Sequence, residues 1–217
     1  MNTYGENIRN VIVFDCNIYL DAARLFDEPF AWSKVQAVLA DLAHGKFPHP
    51  RNPALDSLQA IDYARFGNFG ANELEVWTST HIDKTVRSMA AQAAIPDQPG
   101  DFSGLGWSSP AAEGIVHNLI HELVFESGGG IVEGYRPDGN PPLDHEDGMI
   151  YGACRVLAGD DPLANVYCVT RDRGFLAAYE KGMLDGHSRV MTPGKFTESG
   201  MKALRINALK RIPKPRG

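Results

Sequence analysis

The chain has 217 residues, 43% of them hydrophobic and 22% charged, which provides apolar material for one good core and the polar share of a soluble globular protein. A net charge of −6 argues against generic attraction to nucleic acid or an anionic membrane, so a phosphate-bearing substrate would need local help. No run is long and apolar enough to span a membrane, and the first residues lack the basic-then-apolar layout of a signal peptide, so a cytoplasmic location is expected.

In chain order, "VIVF" reads as a first buried strand and runs straight into Asp15, Cys16 and Asn17. "AWSKVQAVLADLAHG" repeats apolar residues at Val35, Val38, Leu39 and Leu42 and stops at Gly45, the pattern of an amphipathic helix. Residues 46–73 open with prolines, hold a short helical pattern over Ala54–Arg65 and then loosen, which reads as an insertion over a sheet. "LEVW" (Leu74–Trp77) is a second strand, followed by a helix with Asp83 in its first turns. Ile95–Pro110 is rich in Pro, Gly and Ser and reads as a loop. The next helix takes Ser109 as N-cap and Pro110 in its first turn, carries Ile115, Val116, Leu119, Ile120, Leu123 and Val124, and ends at three glycines. "GIVEGY" (Gly130–Tyr135) reads as a strand, and "PPLDHEDGMIYGACRVL" places Asp144, Glu146 and Asp147 at the start of an apolar helix. "NVYCVT" (Asn165–Thr170) and "SRVMT" (Ser188–Thr192) complete the strands. Residues 196–217 carry Lys202, Arg205, Lys210, Arg211, Lys214 and Arg216 against one acid, Glu198, a basic tail that suits an acidic partner or nucleic acid.

Strands alternating with helices predict an α/β fold, with a parallel sheet of about five strands covered on both faces in three α/β/α layers. One domain over residues 1–217 is expected. Cys16, Cys154 and Cys168 are odd in number, widely spaced and set among apolar residues, which predicts buried thiols.

In an open parallel sheet, ligands bind beyond the carboxyl ends of the strands. Asp15 follows the first strand there, and Asp172 follows "NVYCVT" after Arg171. Each acid has an ordinary use as a helix cap or turn former. Three or four carboxylates at one edge repel one another unless a hard cation neutralises them, and such oxygen ligands select Mg²⁺ or Mn²⁺. Glu113, His117 and His121 recur at four-residue steps, but Asn118 stands where a zinc-protease helix needs glutamate.

"VIVFDCNIYLDAA", "DHEDGMIYGACRVL", "CVTRDRGFL" and "SRVMTPGKF", in this order, resemble the PIN domain, the ribonuclease fold of the VapC-type toxins of toxin–antitoxin pairs. The resemblance spans Val11 to Phe196. It implies a metal-dependent ribonuclease with Asp15, Asp147 and Asp172 as ligands of Mg²⁺ or Mn²⁺, and Asn17 and Thr170 ordering the site. The family's second acid, usually glutamate, falls nearest Asp83, with Glu113 as an alternative. Arg171 and Arg173 are candidates for the RNA backbone, joined by Lys84, Arg87 and Lys181. The resemblance also implies an RNA substrate, an antitoxin protein partner and a homodimer. Two other readings compete: a non-catalytic PIN-like module that binds RNA or protein, and a haloacid-dehalogenase-type phosphatase, which would need aspartate where Asn17 stands.

Overall fold

The computed structural model describes residues 9–46, 52–70, 72–94 and 104–210, without the side chains of 207–210. Its centre is β1 (Asn10–Phe14), which pairs in parallel with β3 (Asn72–Ser79) on one side and β5 (Asn165–Val169) on the other. A strand with neighbours on both edges and helices over it meets no water, which is why Val11 to Phe14 form an unbroken apolar run rather than an alternating one. The sheet order is β2-β3-β1-β5-β6, with β2 at Asn68–Phe69 and β6 at Arg189–Met191, while β4 (Ile131–Val132) also pairs with β3. Five strands run parallel, and β2 alone is antiparallel. The sheet is therefore mixed, with six strands. The added one falls within 46–73, where two residues are too short a run to signal a strand.

The flanking helices are α1 (Cys16–Ala23), α2 (Trp32–Ala43), α3 (Pro53–Arg65), α4 (Thr80–Ala91), α5 (Ser109–Ile115), α6 (Glu122–Ser127), α7 (His145–Asp160), α8 (Arg173–Glu180) and α9 (Pro193–Lys210). The helix expected across residues 109–127 is continuous but contains a π-helical turn at Val116–His121 between α5 and α6. Its N-cap is Ser108 rather than Ser109, and Gly128 ends it at φ 76°, a left-handed cap that glycine adopts without strain. The strand expected over Gly130–Tyr135 shortens to β4, since Gly134, at φ 66°, turns the chain out of extended geometry.

In the segment read as an insertion, α3 and β2 pack into the core. Asn52 caps α3 by accepting from the Ala54 N–H, and Leu55, Leu58 and Ile61 are fully buried. Phe69 of β2 stacks on Phe196 of α9 at 5.5 Å, and Phe196 also meets Phe14, Tyr63 and Tyr167 edge-on. Fully burying such a ring contributes about 1.5–3 kcal/mol, so these aromatics join the middle of the chain to its last helix. Cys16, Cys154 and Cys168 are buried free thiols. Residues 95–103 of the expected loop and residues 211–217 of the tail lie outside the described residues, while Lys202 and Arg205 are exposed on α9. No helix among the described residues is long and apolar enough to cross a membrane.

A carboxylate-lined cavity at the sheet edge

β1 ends at Phe14, and the next residue, Asp15, is the N-cap of α1. Its backbone N–H still donates to Val169 O at 2.9 Å, so the carboxylate is held by the sheet itself. One strand over, β5 ends at Val169 and Thr170 follows. The Thr170 hydroxyl donates to Asp15 Oδ2 at 2.5 Å and accepts from the Asp172 N–H at 2.9 Å. The Asn17 amide donates to the same Asp15 oxygen and approaches Thr170 Oγ1 at 3.2 Å, while Asn17 Oδ1 accepts from the Arg171 N–H at 3.2 Å. Asp15, Asn17 and Thr170 thus form one bonded set across two strands.

Asp172 caps α8 by accepting from the Phe175 N–H at 2.7 Å, and Asp144 caps α7 by accepting from the Asp147 N–H at 2.9 Å. With Asp144 taking the cap, Asp147 in the first turn of α7 is left facing inward. α7 lies close to its preceding loop because Gly152 has no side chain: a Cβ there would stand 2.2 Å from Arg136 O.

These elements enclose a cavity of about 170 Å³ lined by Asp15, Asn17, Asp144, Glu146, Asp147 and Asp172, together with Cys16, Leu20, Thr85, Met89 and Ile150. Five carboxylates face it and, among the described residues, no Lys, Arg or His does. Asp15 is only 4% exposed. Burial, reinforced by the charge of Asp172 and opposed by the Thr170 hydroxyl, pushes its pKa up to about 6. Asp147 is pushed up to about 8, by burial first and then by Asp15, Asp172, Asp144 and Glu146. The cavity is short of positive charge.

No family model, curated protein or solved structure matches this chain.

Of the residues singled out in the sequence, the fold brings Asp15, Asn17, Asp147 and Asp172 into one cavity, with Thr170 bonded behind Asp15. Asp83 stands elsewhere. Its carboxylate accepts from the Thr78 hydroxyl at 3.1 Å and lies 2.8 Å from His121 Nε2. The reason is helical phase: His81, Thr85 and Met89 share one face of α4, and Asp83 lies on another. Glu113 is paired with Arg87 at 3.0 Å and with His117 at 3.2 Å, so both histidines of the "HNLIH" stretch sit against carboxylates. The Arg171 guanidinium pairs with buried Asp21, which also accepts from Ser57 at 3.1 Å. Arg173 and Lys84 are exposed. Asp83→Ala is accordingly expected to change metal-dependent RNA cleavage by less than about threefold, because the residue touches nothing in the cavity; a loss near that of Asp15→Asn, measured side by side, would return Asp83 to the site.

Asp144 and Glu146, read in the sequence as helix-start acids but not carried into the ligand set, join Asp147 in the lining. One group escaped the sequence. Asp138, Asp185 and His187 form a group whose ligand atoms all lie within 4.8 Å of one another, a group that could hold a metal ion. The cavity's own acids do not draw together so closely among the described residues. His187 Nε2 is 3.9 Å from Asp138 Oδ2, and Arg155 already donates to Asp138 Oδ1 at 3.0 Å. The 46 residues between Asp138 and Asp185 hide this group from any reading of local spacing.

Proposed function

We propose that the protein is a divalent-metal-dependent ribonuclease on a PIN-like α/β/α scaffold, acting at the cavity of Asp15, Asp147 and Asp172. One observation carries the reading: carboxylates from the ends of two adjacent parallel strands and the start of α7 converge on a cavity whose described lining has no cationic side chain. The donor set fits Mg²⁺ or Mn²⁺, being all oxygen. The spread of the acids suits these ions, which keep several waters and take only one or two carboxylates each. RNA as the substrate rests on the resemblance of the four ordered motifs, not on the cavity.

Asp15, Asp147 and Asp172 would hold the cation between them, one or two directly and the rest through its waters. A divalent cation bound there supplies Lewis acidity towards a phosphoryl oxygen and lowers the pKa of water. Thr170 and Asn17 orient Asp15 by donating to one of its oxygens, which keeps the carboxylate from turning when charge arrives. Asp147, pushed up to about 8, would carry a proton near neutral pH without a cation and would have to give it up to bind one. Asn17 cannot serve as a general acid, because an amide has no proton to give at neutral pH, and this weighs against the phosphatase reading.

Single-stranded RNA of mixed sequence incubated with the protein should be cut in Mn²⁺ or Mg²⁺ and stay intact in EDTA. Equal cutting with and without EDTA would remove the metal from the reaction. No cutting under any condition by folded protein would favour the non-catalytic binding module.

A further inference from the structure

A second cavity, about 450 Å³, adjoins the first and shares Asp144, Asp147 and Asp172 with it. Its other lining residues are Pro142, Leu143, Gly174, Ala177, Ala178, Lys181 and Met183. Gly174, Ala177, Ala178 and Lys181 recur at helical spacing, so one face of α8 and the residue that caps it form a wall. Small side chains along that wall leave the cleft open. From Gly174 to Lys181 is seven residues, about 10 Å along a helix. The cleft therefore has carboxylates at one end, Lys181 at the other as the one cation among its described lining residues, and apolar surface between them, and its volume lies in the range of small-molecule sites.

We propose that this cleft is the subsite for the nucleotide flanking the cut, with the base against Leu143 and Met183 and a neighbouring, uncut phosphate on Lys181. The proposal rests on the ribonuclease reading of the adjoining cavity and adds the direction in which single-stranded RNA leaves it. The charges dictate that direction. A phosphate is repelled by Asp144, Asp147 and Asp172 unless a cation sits among them, so a second phosphate is stable only beyond the carboxylates, where Lys181 stands. The base needs a weakly polar surface, and the exposed Met183 thioether, beside the edge of buried Leu143, offers one. Lys181 also follows the carboxyl end of α8, where a cation stabilises the helix dipole, so a loss of stability alone would not distinguish the two roles.

The test is equilibrium binding of a labelled single-stranded RNA octamer in Mg²⁺, using Asp15→Asn protein so that the RNA stays whole, with and without Lys181→Ala. Lys181→Ala is expected to weaken binding about five- to tenfold, as for one charge-assisted contact. It should also lower the slope of log affinity against log salt by about 0.7, the signature of one lost phosphate on a single strand. Lys181→Arg should keep both values. Ala177→Leu, which fills the cleft and leaves every charge in place, should weaken binding without changing the slope. In the cleaving protein Lys181→Ala should raise KM with kcat within about twofold. Affinity and salt slope unchanged by Lys181→Ala, or no binding of RNA at all, would overturn the subsite. RNA cut normally by a Lys181→Ala protein with unaltered KM would overturn it while leaving the ribonuclease reading standing. RNA bound through Lys181 and never cut by the wild type would do the reverse.

Discussion

Asp15→Asn is expected to lower metal-dependent RNA cleavage by at least about a hundredfold and, without metal near pH 8, to make the protein more stable than the wild type. The activity loss follows from position. Asp15 is the most buried acid of the cavity and is fixed by Thr170 and Asn17, and removing even an outer partner of a metal ligand typically costs 10- to 100-fold. Asparagine matches aspartate in shape and still offers an oxygen to the Thr170 hydroxyl and the Asn17 amide, so the bonded set survives. What disappears is a negative charge in a place that resists charge. Raising a carboxyl from its usual range to about 6 corresponds to about 3 kcal/mol against the charged folded form, an upper bound on the gain. For a chain of 217 residues each kcal/mol moves Tm by about 2–4 °C, which is readily measured. A variant that cuts RNA at the wild-type rate would remove Asp15 from the chemistry. A variant that is inactive and also melts earlier would make Asp15 a structural residue and leave the chemistry unassigned.

Asp15 was legible because four apolar residues run directly into a carboxylate, a pattern that a central parallel strand produces and few others do. Asp172 was legible less directly, three residues past the end of the neighbouring strand. Asp147 could not be separated from Asp144 and Glu146 on the sequence alone. Asp144 or Asp147 could have been the cap, and only the bond from the Asp147 N–H to Asp144 assigns that task. Asp83 illustrates the opposite limit. Its place in the first turn of α4 was readable, but the face it occupies depends on how α4 rolls against its neighbours, and that is decided by Ile82, Val86 and Ala90 packing into the core. The core role of residues 46–73 was invisible because Phe69 finds its partner, Phe196, more than a hundred residues later. The π turn left no mark either, since one extra residue in a helical turn scarcely disturbs an apolar stripe that is already broad. Local pattern thus located the strand ends, and long-range packing decided which side chains use them.

Divalent metal should stabilise the protein more at pH 8 than at pH 5, and this pH dependence should shrink in Asp15→Asn. The sign follows from the two raised carboxyls. Asp15 and Asp147 bind protons more tightly in the folded chain than in the unfolded one. Their contribution is fully present below the ordinary carboxylate range and is lost as pH rises through about 6 for Asp15 and about 8 for Asp147. Other groups act in the same span. Burial pushes His81 and His187 below the usual histidine value, so the folded state gains relative stability as pH rises through that range, which partly masks the carboxyls in a simple pH scan of stability. Comparing each pH with and without metal cancels the histidines that do not touch the ion. At pH 5 a cation must displace protons from both acids, whereas at pH 8 Asp15 is ionised and Asp147 about half so; affinity, and with it the rise in Tm at a fixed metal concentration, is larger at the higher pH. His187→Ala serves as the control, because Asp138, Asp185 and His187 could bind the same ion and would give a pH dependence centred on the histidine. A metal effect that is undiminished in Asp15→Asn and lost in His187→Ala would move the cation out of the carboxylate cavity and take the proposed chemistry with it.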